Sequence, residues 1–298
     1  MLDLLNEKYD WINWIKEIDS WVEWPNIWIS VCTHWGEHAW IRVLEYLNDT
    51  LNIESSLVKW KIYFILTNIE AYKKSLALWN ENPVDFRYVD ENLNRCCDVE
   101  SMRESTSYEV QRALEIMWVL KKIDFHLDIH STYNKSEAML ISSINWLKDL
   151  DNTFNVDAIY KWITDIQVWK PLINITERNG WVWIWLEAWY EKDDSWYRIW
   201  VENSVRLLNK LWMIKEEKFK SELDYNKHNI NIKVYDSVII EWESFYPSRQ
   251  FKHKEIVKKW ELIATYKDTQ YIASKDSYIL MPNMNGIWEE YCFLGEVN

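Results

Sequence analysis

The stretch Cys32-Thr33-His34-Trp35-Gly36-Glu37-His38-Ala39-Trp40 sets an imidazole and a carboxylate three positions apart. It follows an apolar run with strand character, residues 27–31, and precedes a helical pattern of Ile41, Val43, Leu44 and Leu47. At the carboxyl end of a buried strand, His34 and Glu37 would offer one nitrogen and one oxygen to a metal. Zinc enzymes that hydrolyse amides use two histidines and a glutamate and keep a fourth position open for water. A second imidazole comes from His130, at the end of the apolar run 123–129. Alone, a strand-end histidine is an ordinary hydrogen-bonded residue. Together with the upstream His-x-x-Glu it reads as a ligand.

Two further features suit such a centre. Phe86-Arg87-Tyr88-Val89-Asp90-Glu91-Asn92-Leu93-Asn94-Arg95 gathers Arg87, Asn94 and Arg95 in one acidic loop. Beside a metal these form a clamp, because a guanidinium binds a carboxylate bidentately and always carries its charge. Glu187 lies in the apolar run 182–188, where a carboxylate is costly unless a cation or a proton compensates it. Next to a metal it would serve as a general base with a raised pKa.

The elements that position these residues follow from periodicity. Strands are expected at 27–33, 61–67, 123–129, 138–142 and 182–188, and helices at 38–51, 108–122 and 194–211. Residues 1–26 read as a short helix and turns, and 68–97 as a turn-rich, partly helical connection. Strands alternating with helices imply a mostly parallel α/β sheet, whose sites lie at the carboxyl ends of the strands. After about residue 215 the alternation becomes two-residue, the mark of a small antiparallel β-domain. The expected division is therefore 1–215 and 216–298.

The formal charge of −13 argues against a nucleic-acid partner. No run is long and apolar enough to span a bilayer, so no membrane partner is expected. Four cysteines without C-x-x-C spacing read as reduced thiols of a cytoplasmic protein. The abnormal numbers are 23 Trp and 4 Gly, where average usage predicts roughly 21 glycines. Trp11 follows Asp10, Trp14 follows Asn13, Trp146 follows Asn145, Trp196 follows Ser195, and Trp24 precedes Pro25. These are turn dipeptides with Trp in the glycine place. Trp212 sits just past a helical run, at the position that asks for a positive φ. The reading is that most of these codons are UGA, translated as glycine in the source organism. If the tryptophans are genuine, the alternative is a carbohydrate-binding protein that stacks sugars on indoles.

The sequence resembles the succinylglutamate desuccinylase/aspartoacylase family, relatives of the zinc carboxypeptidases. The blocks that carry the resemblance are Thr33-His34-Trp35-Gly36-Glu37 (read T-H-G-G-E), Asn68-Ile69-Glu70-Ala71, Arg87-Tyr88 through Leu93-Asn94-Arg95, Asp128-Ile129-His130, and Leu186-Glu187-Ala188-Trp189 (read L-E-A-G). The resemblance implies a zinc-carboxypeptidase-like mixed sheet flanked by helices. It implies one zinc per chain on His34, Glu37 and His130, with Glu187 as base and then acid. Arg87, Asn94 and Arg95 would hold the carboxylate of a small anionic N-acyl amino acid, and Arg178 would polarise its scissile carbonyl. Asn92 stands where the family usually has Asp, Cys96-Cys97 replaces a bulky apolar residue, and Tyr291 is a candidate contribution from the β-domain. An oligomer is compatible with this reading. The rival enzyme readings are a carboxypeptidase-like peptidase and an inverted zincin, since His34 to His38 also fits H-x-x-E-H. That motif needs both histidines on one helix, and Gly36 argues for a loop.

Overall fold

The computed structural model describes residues 8–9, 12–22, 26–34, 40–77, 88–132, 137–142, 150, 152–163, 170–180, 182–190, 197–214, 230–240, 244–282 and 290–297. In chain order the elements begin with β1 (Lys8–Tyr9), β2 (Ile12–Asn13), β3 (Ile15–Asp19), β4 (Asn26–Val31) and α1 (Trp40–Glu45). They continue with α2 (Ile53–Ser56), β5 (Lys61–Leu66), α3 (Ile69–Ala77), α4 (Leu93–Cys96), α5 (Val99–Glu104) and α6 (Tyr108–Leu120). Next come β6 (Phe125–Thr132), β7 (Met139–Ser142), β8 (Ala158–Lys161), α7 (Ile173–Arg178), β9 (Val182–Tyr190) and α8 (Tyr197–Lys210). The last part is all strand: β10 (Ile230–Ile239), β11 (Phe245–Pro247), β12 (Glu255–Val257), β13 (Leu262–Tyr266), β14 (Thr269–Ile272), β15 (Ser277–Leu280) and β16 (Glu290–Val297).

The chain forms two compact units, residues 1–157 with 170–229, and residues 158–169 with 230–298. In the first, the strand order is β7-β9-β6-β4-β5-β3. The central strands β9, β6, β4 and β5 are parallel, and β7 and β3 run antiparallel at the two sides. From β4 the chain moves to β5 on one side, then returns to β6 on the other. The carboxyl ends of β4 and β6 thus flank a topological switch point, where open α/β sheets bind ligands. In the second unit, β10 pairs with β16 antiparallel and with β8 parallel, and β11, β13 and β14 form a separate antiparallel sheet. Tyr291 is buried in this unit's core, 5.4 Å from Phe245 between ring centroids.

Most expected strands and helices of the first unit are present, with three differences. The described part of residues 1–26 forms strands rather than a helix: β3 pairs with β5, and Ile15 and Ile18 are buried on its two opposite faces. The first helix ends at Glu45, and residues 46–50 form a wider turn of π type. Helix α7, and in the second unit the short strand β8, were not read from the sequence. Helix α6 starts where Ser107 accepts a hydrogen bond from Val110 N. Its Val110, Ala113, Ile116 and Leu120 pack with Leu93, Cys96 and Cys97 in the core. Arg112, also buried, donates to the carbonyls of Leu66 and Thr67 and so ties α6 to the carboxyl end of β5. Among the described residues no helix is long and apolar enough to cross a membrane.

Among the described residues eleven that are not glycine have a positive φ, and six of them are tryptophan: Trp14, Trp21, Trp60, Trp162, Trp212 and Trp260, at φ 60–78°. Bulky L side chains rarely take this conformation. At the end of α8, Met213 N donates to Leu208 O and Trp212 N to Asn209 O, the paired bonds of a Schellman cap. Trp212 occupies the place that glycine takes in such caps. Trp11, Trp24, Trp146 and Trp196 lie outside the described residues.

Candidate active site

The chain leaves β4 through Cys32, whose φ of 58° turns the backbone sharply and buries Thr33 and His34. A left-handed non-glycine residue costs about 1–3 kcal/mol, the kind of strain that functional sites hold. Next to β4, strand β6 carries His130 near its carboxyl end, and the next strand pairs Glu187 with His130 in register. The imidazoles of His34 and His130 approach to 5.7 Å between ring centroids. Three of the sequence candidates, from β4, β6 and β9, therefore meet at one rim of the sheet, each less than a tenth exposed.

Each histidine has a polar partner. Asp128 Oδ2 lies 2.9 Å from His130 Nε2, and Asn92 Oδ1 lies 3.1 Å from His34 Nε2. Burial opposes the charge of Asp128, but His130, His126 and Ser30 outweigh it and hold the carboxyl below its ordinary range. Beneath this pair, Ser30 Oγ donates to Asp128 Oδ1 at 2.6 Å and lies 2.6 Å from His126 Nε2. The single serine proton is committed to the carboxylate, so His126 Nε2 is the donor to Ser30. His126 Nδ1 then accepts from Thr176 Oγ1 at 2.9 Å. Burial pushes His126 down to about 4, against the pull of Asp128, so this imidazole is neutral at pH 7.

Trp185 covers the rim. Its indole stacks on His130 with centroids 4.1 Å apart, and its Nε1 donates to Glu187 Oε2 at 2.7 Å. In the 88–95 loop Asn92 caps α4 by accepting from Asn94 N at 2.9 Å. Asn94 is buried, and its Oδ1 has no hydrogen-bond partner among the described residues. Arg95 Nη1 donates to Asn94 O. Arg178 ends α7, with its side chain outside the described set, while Glu37, His38 and Arg87 lie outside the described residues altogether.

Among the described residues no three His, Cys, Asp or Glu side chains converge as a metal set. The donor chemistry nevertheless fits zinc. A metal-ligating histidine is oriented by an oxygen acceptor beside its second ring nitrogen; Asn92 Oδ1 stands so beside His34 Nε2, and the Asp128 carboxylate lies within ion-pair distance of His130 Nε2. Sequence reasoning did not single out Asp128, Ser30, His126 or Asn92 as supports. The spacing of Asp128 two residues before His130, on the same strand face, was the signal available.

Residues 23–168 match the family model described as the succinylglutamate desuccinylase/aspartoacylase catalytic domain. Among solved structures, succinylglutamate desuccinylase from Vibrio cholerae aligns with a TM-score of 0.71 at 15% identity, over 95% of this chain and 85% of that one. The product-bound ectoine utilization protein EutE from Ruegeria pomeroyi aligns at 0.63 and 17%, over 98% and 92%. Murine aminoacylase 3 aligns at 0.57 and 17%, over 92% and 96%. At these identities the structures establish a shared fold. The curated proteins contain no match.

Proposed function

The chain belongs to the succinylglutamate desuccinylase/aspartoacylase family, and from there we propose that it hydrolyses the amide bond of a small N-acyl amino acid. The observation that carries this reading is the meeting of His34, His130 and Glu187 at the switch point. His34, His130 and Glu37 would hold zinc. Bound there, zinc would supply a water acidified to about pKa 7 and a Lewis acid for the amide carbonyl. Glu187 takes the proton from the attacking water on its carboxylate and returns it to the leaving amine nitrogen. Arg87, Asn94 and Arg95 bind the substrate carboxylate, which selects acyl amino acids over neutral peptides. Arg178 would polarise the scissile carbonyl as negative charge develops on its oxygen.

The same reading takes most of the tryptophans as UGA-encoded glycines. Six left-handed tryptophans support it. So do the indole N–H groups of Trp28 and Trp183, which are buried without a partner among the described residues, a state that costs about 1–3 kcal/mol per group. Trp28, Trp183 and Trp200 are fully buried, out of reach of a sugar, which disfavours the carbohydrate-binding alternative.

The test is a screen of N-acyl amino acids against protein made with glycine at the tryptophan positions, alongside its Glu187→Gln variant. Release of the free amino acid, lost in the variant while zinc stays bound, is the expected result. No hydrolysis of any N-acyl amino acid by the zinc-loaded protein would overturn the assignment.

A further inference from the structure

Glu109 is a fully buried carboxylate on the first turn of α6, and the mechanism above does not use it. Its two oxygens accept four N–H groups. Oε1 takes Val89 N at 2.6 Å and Asn68 Nδ2 at 3.1 Å, and Oε2 takes Asp90 N at 3.1 Å and Glu91 N at 3.3 Å. Asn68 is committed as well, accepting from Ala71 N to begin α3. One side chain thus ties together the loop after β5 and the loop that carries Asn92, Asn94 and Arg95.

We propose that Glu109 is the positioning residue of the substrate clamp. The clamp loop has no strand or long helix of its own at residues 88–92, so its backbone N–H groups need an external acceptor. Glu109 provides it from a helix that Arg112, three residues on, fastens to the end of β5. The neighbouring acids are drawn to the same helix start. Asp90 Oδ2 accepts from Tyr108 N, and Glu91 Oε1 accepts from the hydroxyls of Ser105 and Ser107. With residues 89–91 fixed in this way, Asn92 reaches His34, and Asn94 and Arg95 follow on α4. The anchor is a carboxylate because an amide could not replace it: its single oxygen accepts at one end, while its NH2 would face two N–H donors. This role rests on the clamp reading given above, but its structural half can be tested without any substrate.

Two measurements decide it, both on protein made with glycine at the tryptophan positions. In the first, amide hydrogen exchange is followed at residues 89–91. These amides should be protected in the parent protein and exchange at least about tenfold faster in Glu109→Gln. Fast exchange in the parent overturns the proposal, even if the variant does not fold. The second is steady-state hydrolysis of whichever N-acyl amino acid the parent accepts. Glu109→Gln should raise KM about tenfold or more while kcat stays within about threefold and zinc stays bound. A folded variant with unchanged KM overturns the proposal. If no substrate is found, the family-based function fails while the exchange result still judges the anchor.

Discussion

Trp21, Trp212 and Trp260 offer the sharpest test of the glycine reading, because their side chains are 89%, 74% and 73% exposed and bury almost nothing. Replacing all three by glycine removes a left-handed strain of about 1–2 kcal/mol at each position. Glycine returns part of that gain, about 0.5–1 kcal/mol per site, through the greater freedom of the unfolded chain. At Trp260 the change also removes a cation–π contact, with Lys259 Nζ 4.9 Å from the ring centre, worth about 0.5–1 kcal/mol at an exposed site. The net gain for the triple variant is about 1–2 kcal/mol. At about 2–4 °C per kcal/mol for a domain of this size class, Tm should rise by about 2–8 °C. Thermal unfolding followed by far-UV circular dichroism, supported by urea titration, reads the change directly. For an ordinary tryptophan in a relaxed conformation, glycine would lower Tm. A fall in Tm, with UGG codons at these positions in the gene, would refute the reasoning.

Three other outcomes are expected. Trp185→Gly removes the indole that stacks on His130 and holds Glu187 Oε2, so hydrolysis should appear or increase, and carbodiimide labelling of Glu187 should speed up; an unchanged labelling rate would contradict this. Glu187→Gln should reduce kcat about 10²–10⁴-fold with KM little changed, as read by initial rates on the accepted substrate. His126 is buried neutral, with its pKa pushed down to about 4. Its contribution is complete above the unfolded-state value near 6.5 and is lost as pH falls from there towards 4, in total about 3 kcal/mol. Urea midpoints across that interval should therefore fall more steeply for the parent than for His126→Gln.

What the sequence made legible was what period and chemistry both mark. The apolar runs of β4, β5, β6 and β9 and the capped helix α6 stand where their patterns put them. His34 just beyond β4, and His130 and Glu187 in the carboxyl-end halves of β6 and β9, lie near one another because β6 sits between the other two parallel strands. Other features left weaker marks. The opening strands are two to five residues long, too short to show a period, and β3 owes its structure to pairing with β5. The support beneath the site, Ser30 to Asp128 and His126 to Thr176, is made by residues tens of positions apart. Glu109 looks like an ordinary first-turn acid in the sequence, and only the folded loop shows what it accepts. The tryptophan anomaly was legible because dipeptide context asks for a backbone conformation, and φ at Trp14 and Trp212 met that request.

The account depends most on zinc being held by His34, Glu37 and His130. Its most direct measurement is zinc content by atomic emission on protein with glycine at the tryptophan positions, compared with the His34→Ala and His130→Ala variants. One zinc per chain in the parent and almost none in either folded variant is the predicted result. Full zinc content in both variants, or none in a folded parent supplied with zinc, would contradict it.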